Sequence, residues 1–178
     1  ETPVKKYVLR KKPPGNLLKS AHAVDREYRV ISALNQMGFP VPEPYLFCED
    51  NDIIGTEFYL MEYVEGRIFW DLDLPQISYD EREAVYDDLN RVLAKLHNYD
   101  HKSLGLSDFG PAGNYFSRQV SRWSKQYRAS ETQAIPEMDY LISWLPENIP
   151  IENSVAIVHG DYRLDNLIIH PTEPKIIG

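Results

Sequence analysis

Apolar residues recur at helical spacing in four stretches of the chain. Between Asp80 and Asn98 they fall at Val85, Leu89, Val92, Leu93 and Leu96, one face of a helix. Tyr115 to Arg128 repeats the pattern through Phe116, Val120, Trp123 and Tyr127. A helix is predicted from about Ser20 to Met37, stopped by Gly38 and Pro40, and a shorter one over Glu137 to Leu145. Elsewhere the pattern is that of strands. Lys5 to Arg10 alternates, with Val8 and Arg10 on one face and Tyr7 and Leu9 on the other. Tyr45 to Cys48 and Glu57 to Val64 are further strand candidates, the second ended by Glu65-Gly66. Two short apolar runs, Val155 to Val158 and Leu167 to Ile169, predict strands on either side of a polar loop, and Lys175 to Ile177 starts another. Turns are expected at Pro13 to Gly15, Asp50 to Asp52 and Pro171 to Pro174.

The order predicts an α+β chain, with a small antiparallel sheet of the first three strands covered by the first helix, followed by mostly helical sequence. On that helix Val24, Tyr28, Ile31, Leu34 and Asn35 share one side, and Asp25, Arg26, Arg29 and Gln36 share the other. Glu27 falls within the apolar arc. A carboxylate facing inward is costly unless paired, and Arg10 on the preceding strand is the nearest candidate. The alternative is that Glu27 reaches round to the edge of the core.

Composition narrows the functional classes. A hydrophobic content of 43% in 178 residues supplies a core for one domain or a two-lobed one. No apolar run approaches the roughly 20 residues of a membrane span, and the polar N-terminus precedes no apolar segment of the kind a secretory leader has. The single Cys48 excludes an internal disulfide and fits a reducing compartment. A net charge of -8 argues against nucleic acid as the main partner. The charge is uneven, +5 over residues 1–29 and -13 over the rest, so an anionic ligand at the basic segment and a merely solvated surface both remain open.

The polar loop between the two late apolar runs reads His159-Gly160-Asp161-Tyr162-Arg163-Leu164-Asp165-Asn166. An acid, an arginine two residues on and an asparagine five residues on form the set that phosphoryl transfer from Mg-ATP requires. A carboxylate orients or deprotonates the attacking hydroxyl (Asp161), a cation offsets charge on the moving group (Arg163), and an amide oxygen helps hold the metal (Asn166). Protein kinases place Asp and Asn at the same spacing. The plainer alternative is a polar turn whose side chains bond only locally. A pairing of Glu27 with Arg10 fits the first reading, since it would present the guanidinium to a nucleotide phosphate. Asp108-Phe109-Gly110 spells a kinase metal motif but precedes the loop by about fifty residues, where a kinase has it afterwards, and is rejected as one. Arg118, Arg122 and Lys125 form a basic stripe with no acid between Phe109 and Ser130, either a solvated face or a cradle for an acidic substrate. His97 fits a helix C-terminus better than a ligand site.

Five segments together, Tyr7 to Gly15, Ala21 to Tyr28, Gly38 to Pro44, Gly55 to Arg67 and His159 to Asn166, resemble the aminoglycoside phosphotransferase/choline kinase-like family. Within it the chain is most similar to the kinase-like domain of acyl-CoA dehydrogenase family members 10 and 11 and to stand-alone bacterial relatives. The resemblance implies a bilobal protein kinase-like fold, cut short at both ends, with an N-lobe at 1–64 and a helical C-lobe at 65–178. It implies ATP and Mg2+ as cofactors and phosphorylation of a small-molecule hydroxyl, with a hydroxyacyl-CoA as the substrate class of this branch. Residue by residue, Asp161 is the base, Asn166 a metal ligand, Arg10 the phosphate-binding strand cation and Glu27 its helix partner. Met61, Glu62, Tyr63 and Val64 are the hinge that would meet an adenine edge.

Three departures accompany it. The strand cation is Arg rather than Lys, which pairs with phosphate in a different geometry. The phosphate-covering loop is expected before Glu1, and a second metal-binding Asp beyond Gly178. A parent protein fused to or associated with an acyl-CoA dehydrogenase is expected, cytoplasmic in a bacterium or in an organelle of fatty-acid oxidation in a eukaryote. The competing readings are a non-catalytic module that binds nucleotide or acyl-CoA, and an aminoglycoside or amino-alcohol kinase served by the acidic body.

Overall fold

The computed structural model describes residues 5–12, 23–111, 113–151 and 154–178. The predicted turn at Pro13 to Gly15 and the first residues of the Ser20–Met37 helix lie outside them. The chain divides into two compact units, one of Glu1–Phe109 with Ala156–Gly178 and the other of Gly110–Val155.

The first unit opens with a three-stranded antiparallel sheet. Its strands are β1 (Tyr7–Lys11), β2 (Pro44–Cys48) and β3 (Phe58–Glu62), ordered β1-β3-β2. Phe58 and Tyr59 are buried because β3 is the central strand. Val8 stands opposite Met61 and Arg10 opposite Tyr59. The β2 register slips between Pro44 and Leu46, where proline has no N–H to give the ladder. Helix α1 (Val24–Gln36) lies against the sheet. It buries Val24 and Leu34, and Tyr28 stacks on Phe47 at 5.5 Å between ring centres.

The predicted turn at Asp50 to Asp52 is instead a one-turn helix, α2 (Asn51–Ile54). The Asp50 carboxylate accepts from the Asp52 N–H at 2.9 Å, and Gly55 closes the turn at φ +83°, where a side chain would be strained. A local cap outweighs weak propensity there.

Helix α3 (Tyr79–His97) follows the predicted periodicity, burying Val85, Val92 and Leu96. Ser78 caps it by accepting from the Glu81 N–H at 3.2 Å, and Lys95 and His97 occupy the last turn, where positive charge suits the helix dipole. These side chains form one core with Leu34, Phe39, Phe69, Leu74, Leu164, Leu167, Ile169 and Ile176.

The expected strands around the polar loop do not form ladders. Residues 154–159 carry no strand pairing, and Val155 and Val158 are each 53% exposed. Ile169 makes only isolated antiparallel bridges, to Arg67 and to Ile176. Apolar β-branched residues favour extended backbone, but a strand also needs a neighbour, and none among the described residues runs beside Val155 to Val158.

The second unit contains α4 (Tyr115–Ser130) and α5 (Pro136–Glu147). Proline in the first turn of α5 costs no helical hydrogen bond. The α4 guanidinium of Arg128 bridges Glu131, at 3.2 Å, and Asp139 of α5, at 2.5 Å. The apolar faces predicted here are not core: Trp123, Tyr140 and Trp144 all stand exposed. Among the described residues, no helix is long and apolar enough to cross a membrane.

Candidate active site

The polar loop is fixed to the core at both ends of its short 3-10 turn (Leu164–Asn166). Leu164, Leu167 and Ile169 are buried in the core that α3 lines, so the residues between and before them cannot drift. Tyr162 adds a polar anchor, its hydroxyl donating to the Leu89 carbonyl of α3 at 2.9 Å. Burial pushes that hydroxyl up to about 12, which keeps it a donor.

At the start of the loop Gly160 takes φ +84°, a turn that folds the Asp161 N–H back onto His159 Nδ1 at 3.3 Å. The His159 ring packs edge-on against Tyr162 at 5.4 Å. Burial lowers its pKa, outweighing the opposite pull of the Asp161 charge, and so favours the neutral ring that can accept this bond.

Asp161 is held by both carboxylate oxygens. Asn166 Nδ2 donates to its Oδ2 at 2.8 Å and to its backbone carbonyl at 2.9 Å. Arg163 Nε lies 3.1 Å from its Oδ1, while Arg163 Nη2 reaches Asp165 Oδ2 at 3.1 Å. The Asp161 side chain is nevertheless 65% exposed. The result is an oriented, ionisable carboxylate facing solvent, unlike a carboxylate buried for structure. The Asn166 amide nitrogen is engaged in these bonds, so its amide oxygen is the atom left to meet a cation. Sequence reasoning gave Arg163 to phosphate alone; the structure shows its guanidinium already shared by two carboxylates, a pairing that spacing does not reveal.

Behind the loop, Arg67 and Ile169 exchange backbone hydrogen bonds of 2.7 and 2.8 Å. The Arg67 side chain reaches Glu81 at 2.7 Å and the carbonyls of His170 and Glu173. Gly66 makes this close approach possible: a Cβ there would press on Ile168 Cγ2 and stand 2.5 Å from the Ile169 carbonyl oxygen.

On the sheet, Arg10 Nε donates to Glu27 Oε2 at 3.0 Å and Nη2 to Oε1 at 3.4 Å. Glu27 is therefore paired, and the pair stands partly exposed, with 47% of the Arg10 and 32% of the Glu27 side chain open to solvent. Tyr59, opposite Arg10 in the ladder, is a third member that the sequence did not suggest; its hydroxyl donates to Glu27 Oε2 at 3.3 Å. Burial first, then the Glu27 charge, pushes that hydroxyl up to about 12. Glu27 thus accepts three hydrogen bonds, and among the described residues no hydrogen bond or ion pair joins this group to the Asp161 group.

Of the four residues expected as a hinge, Met61 and Glu62 end β3 and Tyr63 and Val64 follow it. The Glu62 N–H is taken by the Glu43 carbonyl at 2.8 Å, which leaves the peptides of Tyr63 and Val64 beyond the ladder. A shallow cleft of about 260 Å³ lined by Lys5, Lys6, Tyr45, Glu62, Tyr63 and Glu65 adjoins this strand end. Among the described residues no group of three or more His, Cys, Asp or Glu side chains is placed to hold a metal. The Asn166 amide oxygen is a donor of the kind Mg2+ takes, since that ion prefers oxygen ligands and keeps several waters.

A family model described as phosphotransferase enzyme family (APH) matches residues 1–178. Acyl-CoA dehydrogenase family member 11 of Rattus norvegicus is 54% identical over 97% of the chain. Acyl-CoA dehydrogenase family member 10 of Mus musculus is 50% identical over 98% of it. The chain spans only 22% and 16% of the length of these two curated relatives. It is also similar to a crystal structure from Ralstonia eutropha JMP134 named as a candidate aminoglycoside phosphotransferase. The TM-score is 0.86 at 51% identity, over 97% of this chain and 50% of that one. The small sheet, its covering helix and the α3 core are thus those of an aminoglycoside phosphotransferase-like kinase fold, and the chain belongs to the APH phosphotransferase family.

Proposed function

We propose that the chain carries the core of an ATP-dependent kinase that phosphorylates the hydroxyl of a small molecule. The observation that carries this reading is the Asp161 carboxylate, held through both oxygens by Asn166 and Arg163 yet open to solvent. An acceptor hydroxyl donating to Asp161 would be oriented for in-line attack on the γ-phosphorus, would lose its proton to that carboxylate, and would displace ADP as the bridging P–O bond breaks. Arg163 keeps Asp161 aimed and adds positive charge beside the transferring group. Asn166, through its amide oxygen, would help hold Mg2+, which when bound neutralises phosphate charge. Arg10, aligned by Glu27 and Tyr59, would grip a phosphate of the nucleotide with the guanidinium edge that Glu27 leaves free. Tyr63 and Val64 would present backbone groups to adenine. Residues 1–64 then act as the nucleotide lobe and residues 65–178 as the catalytic lobe.

For the acceptor we favour a hydroxyacyl-CoA. The relatives named for acyl-CoA dehydrogenases are far longer than this chain, and a kinase fused to such an enzyme would share its acyl-CoA substrates. The name of the Ralstonia structure supports the rival reading, an aminoglycoside or amino-alcohol acceptor.

The test is a phosphoryl-transfer assay on the full-length protein with Mg-ATP and two acceptor pools, hydroxyacyl-CoAs in one, aminoglycosides and amino alcohols in the other. Transfer to the first pool, lowered by roughly 10²–10⁴-fold in Asp161→Asn with ATP affinity retained, is expected. Wild-type turnover in that variant would sink the assignment of the base. Mg-ATP binding with no transfer to either pool would favour a regulatory module.

A further inference from the structure

The rejected Asp108-Phe109-Gly110 triplet has a place in the structure that its sequence position does not suggest. It ends a loop rooted in the core by Leu106, 3% exposed, whose N–H bonds the His101 carbonyl at 2.9 Å. Gly105 turns at φ +67°, and the Phe109 N–H closes back on the Leu106 carbonyl at 3.0 Å. This rooted loop meets α1 on the face opposite the sheet. Arg29 Nη1 lies 3.0 Å from Asp108 Oδ2, and Arg29 Nη2 contacts both Asp108 Oδ1 and, at 2.5 Å, the Gly105 carbonyl. One turn earlier Arg26 donates to the Phe109 carbonyl and lays its guanidinium 4.4 Å from the centre of the Phe109 ring.

Helix α1 needs such a tie. Only Val24 and Leu34 are buried along its thirteen residues, and its N-cap residue, Ala23, has no side chain to cap it. Between those two buried positions the helix carries Glu27, whose place decides where Arg10 points. The Arg29–Asp108 fork adds two parallel charge-assisted bonds to a loop that cannot move without disturbing Leu106.

We propose that Asp108 and Arg29, seconded by Arg26 and Phe109, form a clamp that sets α1 so that Glu27 holds Arg10 ready for the nucleotide. They are positioning residues and touch no substrate. The proposal rests on the kinase reading given above. Because the pair is solvent-exposed, its loss changes global stability little and is felt in α1 and at the nucleotide.

The experiment uses full-length protein and three variants, Asp108→Asn, Asp108→Glu and Glu27→Gln, with Asp108→Asn also combined with Glu27→Gln. Two quantities are read, Mg-ATP affinity by calorimetry and amide hydrogen exchange along residues 24–36. Asp108→Asn is expected to weaken Mg-ATP binding by roughly two- to fivefold and to speed exchange in α1, with Asp108→Glu recovering part of both. In the Glu27→Gln background the same change should have no further effect on affinity, because the clamp acts through Glu27. Unchanged affinity and exchange in Asp108→Asn would overturn the clamp, as would a full additional loss in the double variant. Wild-type protein that binds no Mg-ATP would overturn the kinase reading instead, and α1 exchange in Asp108→Asn would then decide the clamp by itself.

Discussion

Replacing Gly66 by alanine tests how the catalytic loop is held. The added Cβ would press on Ile168 Cγ2 and lie 2.5 Å from the Ile169 carbonyl oxygen, a separation real Cβ atoms essentially never show. Neither neighbour can yield easily. Ile168 is β-branched and stiff, and the Ile169 carbonyl is the acceptor for the Arg67 N–H at 2.7 Å. Ile169 itself is fully buried, so that segment cannot move away without opening the core. Relief therefore comes from parting the Arg67–Ile169 bridge.

Overpacking of this kind costs about 1–3 kcal/mol, and weakening two backbone hydrogen bonds adds about 1 kcal/mol. A loss of about 2–4 kcal/mol is expected. Urea denaturation of Gly66→Ala should show a midpoint lower by roughly 1–2 M at an ordinary m-value. Asn166 stands three residues before Ile169, so turnover should fall as well, by roughly tenfold or more if the loop shifts by a few tenths of an ångström. Gly110→Ala, where a Cβ would meet nothing within 4 Å, is the control and should be neutral. Stability of Gly66→Ala within about 0.5 kcal/mol of wild type, with unchanged turnover, would refute this account of the bridge.

Further outcomes are expected. Ile169→Ala removes a fully buried side chain and should cost about 2–5 kcal/mol in thermal or urea unfolding. Tyr162→Phe loses one hydrogen bond to the Leu89 carbonyl and should cost about 1 kcal/mol. His159 has a folded pKa below its ordinary 6.5, so the unfolded chain binds the extra proton first as pH falls. Its contribution is thus complete above pH 6.5 and lost as pH drops from there toward the folded value. A slope in stability over that window, absent in His159→Gln, is the check.

Local and periodic features were legible in the sequence. The α3 positions Val85, Val92 and Leu96 follow a 3.6-residue repeat whatever surrounds them, and their burial follows from it. Glu27 was legible as a problem, a carboxylate on an apolar arc, and Arg10 as its solution, because both lie in adjacent elements. The Asp161–Asn166 contact spans only five residues, within reach of a motif. Long-range relations were not. Nothing in Val155 to Val158 says that none of the described strands runs beside them, since pairing depends on a partner elsewhere. The Arg29–Asp108 fork joins residues 79 apart, and Asp108 is an ordinary loop acid until the fold brings α1 beside it. Gly66 shows the same limit: its need for a missing side chain is set by Ile168 and Ile169, about a hundred residues later.

The division of the chain has an evolutionary consequence. Gly110–Val155 leaves the first unit after Phe109 and returns to it at Ala156, which makes it an insertion in the topological sense. The core of the unit that contains Asp161, Arg10 and Glu27 is built from residues on both sides of that excursion, and none of its buried members comes from within it. Such an arrangement lets the excursion be lengthened, shortened or exchanged between lineages while the residues proposed for catalysis keep their framework. Diversity among relatives should therefore concentrate in 110–155.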